Sequence, residues 1–280
     1  MPAGVRLDEK SAASCALTGW GDRVYLAWTG TDLHLNLASW SDGRGLVGKQ
    51  RLAQRSYRYE SESSFGEDRR KIVAMSPSLV GSGERLYLAW TGSKGALNVL
   101  AADRGGHSAP VTLKQRSTRS PSVTTARDGT VVLAWTGTDR HLNLLTLGTD
   151  WWREPVRLEA KSSAAPAVCS HGDDVVLAWT GTDRHVNLLA VGRGWSGEPA
   201  RLQAKSSAAP AVCSHGGEVV LAWTGTDRHV NLLTVGRDRR REPVRLEAKS
   251  SLAPALCSHG GGLVLAWTGS DTRLNIARLR

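Results

Sequence analysis

One phrase carries most of the chemistry-bearing residues of this chain. AWTGTDRHLNLL occupies 134–145, and AWTGTDRHVNLL occupies 178–189 and again 222–233. Looser copies surround Trp28, Trp90 and Trp267. Counted from the Trp, an Asp follows after four residues in five copies: Asp32, Asp139, Asp183, Asp227 and Asp271. An Asn follows after eight in all six: Asn36, Asn98, Asn143, Asn187, Asn231 and Asn275. Arg and His come next to the Asp in three copies, as Arg140–His141, Arg184–His185 and Arg228–His229. Carboxylates take hydroxyl groups in strong, charge-assisted hydrogen bonds, and amides both donate to and accept from them. An indole face covers an apolar C–H surface. A cluster of Asp, Arg, His and Asn around a Trp is therefore suited to a ligand that mixes hydroxyls with C–H faces.

Each of these residue types also has a purely structural use. Asn is disfavoured inside a strand because its amide competes with the ladder. Its return in every copy has either a backbone-satisfying cause or a ligand-holding one. The Trp either wedges between neighbouring units or forms an open apolar platform. The near-identity of three copies also fits recent duplication without any function. The candidate ligand contacts are Trp28, Asp32 and Asn36; Trp135, Asp139, Arg140, His141 and Asn143; Trp179, Asp183, Arg184, His185 and Asn187; Trp223, Asp227, Arg228, His229 and Asn231; and Trp267, Asp271 and Asn275. The second copy reads Lys94-Gly95-Ala96 where the others carry Asp, and it is expected not to bind.

Other chemistries find less support. Cys169 and His171 alternate along one segment, as do Cys213/His215 and Cys257/His259. Two ligands per unit fall short of a closed tetrahedral zinc site, and equivalent Cys on adjacent units stand too far apart for disulfides. Buried, inert thiols are expected, with no metal and no cofactor. No nucleophile elbow, phosphate loop or zinc-protease helix occurs. Residues that occur once and could catalyse are confined to Tyr57, Tyr59, Glu60 and Glu62, so no enzyme is expected.

The elements that must position the phrase follow from its period. After a first interval of 62 residues, the Trp anchors recur every 44 or 45. That is the length of a four-stranded propeller blade. Within 164–205, AAPAVCSH, VVLAWT, HVNLLAV and PARLQA read as strands A to D, with β-branched and aromatic enrichment and turn residues between them. The GTDR turn joins B to C, with Gly181 and Asp183 supplying its special conformations. No segment shows a helical period. The chain stops after a third strand, and PAGVRLDEKSAA at 2–13 matches EPVRLEAKSSAA at 154–165. The leading segment then supplies the missing fourth strand and removes an open edge. The fold expected is all-β: a six-bladed β-propeller over 1–280 with four-stranded blades, closed by the N-terminal strand. RSYRYESESSFGEDRRKIVAM at 55–75 accounts for the long interval, and reads as a charged surface loop inserted at about 56–74.

In such a ring the B–C turns share one face with the D–A links, which carry Lys161-Ser162-Ser163, Lys205-Ser206-Ser207 and Lys249-Ser250-Ser251. The other face carries the A–B turns with His171, His215 and His259, and C–D loops with Trp40, Trp151, Trp152 and Trp195. Either face offers ligand groups.

Composition narrows the setting. The net charge of +10 raises nucleic acid as a partner. The basic residues are scattered with no long run, so nucleic acid is not the expected one. No stretch of roughly 18 apolar residues predicts a membrane span. MPAGVRLDEK lacks the apolar core of a secretory signal, which leaves cytoplasmic residence or non-standard release open. Four sparse Cys point to a reducing compartment. The oligomeric state stays open.

The repeated hairpin L-A-W-T-G-T-D-x-x-L-N resembles bacterial propeller repeats. In architecture and repeat style the chain is similar to tectonin-type and fucose-binding propeller lectins. The resemblance implies a multivalent binder of glycans or glycoconjugates with sites on or between its blades. A non-enzymatic protein-interaction platform is the alternative.

Overall fold

The computed structural model describes residues 4–64, 67–148, 154–192, 198–236 and 242–279, with side chains described throughout except at 62–64 and 67–69. Among the described residues every regular element is a β-strand. Blade 4 shows the plan: Ala167–His171, Asp174–Thr180, His185–Val191 and Ala200–Lys205 form one antiparallel sheet in that order, A to D. Blades 1, 3 and 5 repeat it. In blade 2 the third strand, Ala96–Asp103, pairs with both Gly106–His107 and Val111–Arg116, so its outer edge comes in two pieces.

The sixth blade closes the ring as expected. Its own strands are Ala255–His259, Gly262–Thr268 and Arg273–Leu279, and Val5–Lys10 adds the fourth. Val5 lies opposite Ile276 and Arg6 opposite Asn275. Each innermost strand packs beside those of both neighbours, the first beside the sixth. The class defined is a closed six-bladed β-propeller.

Each sheet is sandwiched between two others, which explains why strand B reads VVLAWT rather than alternating. One of its faces buries Val176 and Ala178 against blade 5, and the other buries Leu177 and Trp179 against blade 3. The Trp points back into the preceding blade throughout: Trp223 joins Ala167, Val176 and Val186 of blade 4. All six are buried, between 1% and 8% exposed. The wedge alternative is therefore the one the structure adopts.

A ring of hydroxyls adds a second inter-blade fastening. The Ser after each D strand is buried and donates to the carbonyl of the Thr that ends strand B of the next blade. The six bonds run Ser11 to Thr29, Ser56 to Thr91, Ser117 to Thr136, Ser162 to Thr180, Ser206 to Thr224 and Ser250 to Thr268, at 2.8–3.4 Å. Each such Thr hydroxyl in turn donates to the link that follows its own blade, as Thr180 does to Ala208 at 2.7 Å. The first Ser of each KSS link therefore belongs to the fold and is not presented on the face.

The segment read as an inserted loop is a two-stranded antiparallel ribbon, Tyr57–Ser64 with Glu67–Ala74. Its charge and Ser content disguised an alternation, Tyr57, Tyr59, Ser61 against Arg58, Glu60, that suits a strand with unlike faces. Phe65 lies outside the described residues.

Candidate functional site

The B–C hairpin is built by two close contacts. Arg184 N donates to Gly181 O at 3.0 Å, and Gly181 N donates to His185 O at 2.8 Å. The residue with positive φ is the fourth of the turn, not the Gly or the Asp. It is Leu33, Arg140, Arg184, Arg228 or Thr272, with φ of 66–68°, and only blade 2 has a glycine there, Gly95. This is a turn followed by a left-handed residue, a common hairpin closure. Gly181 is needed for space instead: a Cβ there would lie 2.8 Å from Asp183 Oδ1 and 3.0 Å from Asn187 Nδ2.

The Asn has a backbone role in all six blades. Its Nδ2 donates to the carbonyl two residues earlier, as Asn187 does to His185 O at 2.8 Å and Asn98 to Ala96 O at 3.0 Å. Asn36, Asn143, Asn231 and Asn275 repeat the bond. The D strand carries two extra residues at this point, between the His185↔Lys205 and Asn187↔Arg201 pairs. The amide bond steadies the hairpin mouth where the ladder is broken. Trp28, Trp135, Trp179, Trp223 and Trp267 lie directly opposite the Asn on strand B and are buried. Trp and Asn thus lie together beneath the hairpin, the Trp in the core between blades and the Asn buried or part-buried in its backbone bond.

The Asp residues face outward and do two things at once. Asp183 Oδ1 accepts from His185 N at 3.0 Å, which caps the turn, and Oδ2 accepts from Arg201 Nε at 2.9 Å. The same ion pair joins Asp32 to Arg51 at 2.8 Å, Asp139 to Arg157 at 3.0 Å, Asp227 to Arg245 at 2.8 Å, and Asp271 to Arg6 across the closure. Asp183 and Arg201 are each about half exposed, at 48% and 51%. Hydrogen bonds to the charged form hold these carboxyls low. The Arg245 guanidinium and then the His229 amide bring Asp227 down to about 2. In Asp32 the Arg51 guanidinium is the larger cause. In Asp139, Asp183 and Asp271 the turn amide is the larger.

His141, His185 and His229 are buried under the pair. His141 Nδ1 lies 2.8 Å from Arg157 Nη2 and 3.0 Å from Asp139 Oδ2, and His229 Nδ1 lies 2.8 Å from Arg245 Nη2. His185 Nδ1 instead meets Leu202 O at 2.9 Å. His34 repeats the arrangement in blade 1, with Arg51 Nη2 at 3.0 Å. Blade 6 has Arg273 at this place, bonded to Asp8. Arg140, Arg184 and Arg228 stand exposed at the tips, apart from the pairs.

The strand-D arginines Arg6, Arg51, Arg157, Arg201 and Arg245 are the residues that motif reading missed. A signal for them exists within the repeats. Five units hold both an Asp in the turn and an Arg opposite the hairpin Asn on strand D, and blade 2 has Lys94 and Thr112 in those two places. Thr112 Oγ1 donates to Asn98 Oδ1 at 2.7 Å instead.

The opposite face offers less of what was expected of it. His171 and His215 bond the next blade's Ser214 and Ser258 at 3.0 and 2.9 Å, and Trp40 is buried. Trp151, Trp152 and Trp195 lie outside the described residues. A cleft of about 1170 Å³ does open between blades 1 and 2, lined by Trp20, Tyr25, Gln50, Arg104 and His107 over leucines. Trp20 takes the place that His171, His215 and His259 hold later, packs on Gly81, and donates to Gly83 O at 2.8 Å. Its ring sits 5.4 Å from that of Tyr25.

The four Cys are free and buried. Burial pushes Cys15, Cys169 and Cys257 up to about 12, and Cys213 further still. Such thiols are not thiolates at neutral pH. Among the described residues no group of three or more His, Cys, Asp or Glu is placed to hold a metal. Among the described residues no helix is long and apolar enough to cross a membrane.

No protein-family model matches the chain, and no curated protein does. Solved structures share its fold. The lectin of Aleuria aurantia, a six-bladed β-propeller with a fucose recognition mode, is 10% identical over 99% of this chain and 93% of that one, with a TM-score of 0.70. The SapL1 lectin, solved with α-methyl fucoside, is 12% identical over 97% and 94%, at 0.69. The BP39L lectin of Burkholderia pseudomallei is 14% identical over 95% and 80%, at 0.67. At these identities the likeness is one of fold.

Proposed function

We propose that the protein is a non-enzymatic, multivalent carbohydrate-binding propeller. The observation that carries this reading is the half-exposed Asp–Arg pair, placed identically on five blades. An ionised carboxylate accepts from sugar hydroxyls while the free guanidinium N–H groups donate to them, and both are preorganised by their mutual bond. Fucose-binding lectins among the structural neighbours support the ligand class. A single site of this kind, shallow and without an exposed aromatic at its centre, binds at about millimolar Kd, or about −4 kcal/mol. Several sites on one ring, engaged by a glycan-coated surface, raise that by orders of magnitude through effective concentration.

A glycan array with monosaccharide competition tests this. Asp183→Asn with Asp227→Asn retains the turn-capping oxygen and removes the carboxylate charge. Loss of glycan signal with an unchanged fold is expected. Undiminished binding in the double variant moves the site elsewhere, the cleft beside Trp20 being the place to mutate next.

One observation favours a second reading, a protein-binding platform. The ribbon sets Tyr59 opposite Ile72, 48% and 50% exposed. An array without any glycan signal, together with one specific protein captured through the ribbon, would favour it.

A further inference from the structure

The face formed by the B–C hairpins and D–A links is unevenly charged. Apart from the ribbon, its hairpin carboxylates are Asp32, Asp139, Asp183, Asp227 and Asp271, and each is already paired with a strand-D arginine; strand D adds Glu159, bonded to Arg157, Asp8, bonded to Arg273, and the exposed Glu247. The cations around them are not matched. Arg140, Arg184 and Arg228 are exposed at the hairpin tips, and no acidic group pairs with them among the described residues. Each also holds a positive φ of 66–67°, which a side chain adopts at a cost that glycine escapes. Gly95 fills the same place in blade 2.

The links add a second cation per blade. Ser162, Ser206 and Ser250 donate their backbone N–H to the carbonyls of Arg140, Arg184 and Arg228, each at 2.9 Å. The residue before each Ser is Lys161, Lys205 or Lys249, exposed and likewise unmatched. The next Ser then reaches the following hairpin: Ser163 Oγ donates to Gly181 O and Ser207 Oγ to Gly225 O. Lys161 and Lys205 therefore each lie between two arginine tips, and Lys249 lies beside the Arg228 tip. The order across three blades is Arg140, Lys161, Arg184, Lys205, Arg228, Lys249.

We propose that this arc binds an acidic polysaccharide, a chain with carboxylate or sulfate groups at regular intervals. The proposal rests on the carbohydrate reading above and specifies its ligand class. A nucleic acid fits less well. Three half-exposed carboxylates, Asp139, Asp183 and Asp227, sit among the cations and oppose a densely charged phosphate backbone, whereas sugar hydroxyls bond to them. The tips also lack a stacking surface, since every strand-B Trp is buried.

The test is the triple variant Arg140→Gly, Arg184→Gly, Arg228→Gly. Glycine suits the left-handed position, so the melting temperature is expected to hold or rise. Binding is measured to immobilised polygalacturonate and to dextran sulfate, with neutral dextran and an oligothymidylate as comparisons, at two salt concentrations. The native chain should prefer one of the acidic polysaccharides and lose about tenfold in affinity or more between 50 and 200 mM salt. Which of the two it prefers assigns carboxylate or sulfate. The variant should lose about tenfold at low salt, from removal of three contacts. Unchanged affinity in a folded variant overturns the proposal, as does tighter binding of the oligothymidylate. Neutral glycans bound without preference for acidic ones overturn the arc and leave the carbohydrate reading standing. Failure of every glycan, neutral or acidic, overturns both.

Discussion

Blade 2 and blade 4 differ around the hairpin in ways that separate two sets of residues. Blade 4 has Asp183, Arg184, His185 and, across the D strand, Arg201; blade 2 has Lys94, Gly95, Ala96 and Thr112 in those places. Everything beneath is shared. Trp90 and Trp179 are both buried, Asn98 and Asn187 make the same backbone bond, and Thr91 and Thr180 both donate to the following link. Ser117 and Ser206 fasten the next blade alike. A blade without the Asp–Arg pair thus keeps the same inner strands and hairpin base, with only its outer edge divided in two. The pair is therefore not required to make a blade.

The comparison is tested first where it predicts sameness. Trp90→Ala and Trp179→Ala should each cost about 3–5 kcal/mol by denaturant unfolding, since both open a cavity between blades. A much milder Trp90→Ala would show that blade 2 is not held by the same wedge. Asn98→Ala and Asn187→Ala should each cost about 1–2 kcal/mol, leaving a hairpin carbonyl with one donor fewer.

Next comes the predicted difference. Arg201→Met with Arg245→Met should shift stability by less than about 1 kcal/mol, as half-exposed ion pairs do. The same change should weaken multivalent glycan binding by about tenfold, because avidity multiplies the loss of sites. The converse sharpens the point: Lys94→Asp with Thr112→Arg should install a sixth pair and raise avidity a few-fold, read by surface plasmon resonance on a glycan-coated chip. If that variant folds and gains nothing, the pairs do not touch the glycan.

The smallest effect is in pH. The hairpin carboxyls are held below the ordinary Asp value of about 3.9. A depressed folded pKa contributes stability that is complete above the unfolded value and disappears as pH falls through the folded one. Glycan binding and unfolding midpoints should therefore be flat from pH 8 to 5 with respect to these groups. The contribution should fade below about pH 4, and Asp227 should titrate last, near 2, by carboxyl NMR. A midpoint for Asp227 near 4 would mean that Arg245 does not hold it in solution.

Part of this was legible before any coordinates. The 44-residue recurrence of Trp, the four strands of each unit and the match between residues 2–13 and 154–165 specify a closed ring because they are local or periodic features. The turn was legible as a turn, but not its strained residue: Gly181 looked like the flexible position and Arg184 holds the positive φ. The ribbon was hidden because its pairing depends on a partner strand and its composition resembles a loop. Arg201 was hidden because its partner lies 18 residues away, across a register break that no spacing rule anticipates. Only the contrast with Lys94 and Thr112 within the repeats points to it.

By itself the amino-acid sequence determined the all-β character, the number of blades and the way the ring is shut, since each follows from strand period, turn chemistry and repeat length. Tertiary structure alone decided which repeated residues face inward and which outward. Burial claimed the Trp and the link Ser for the fold, and a backbone hydrogen bond engaged the buried or part-buried Asn. The Asp, its strand-D Arg and the tip cations were left at the surface, because only packing of whole blades settles which side of a hairpin meets water.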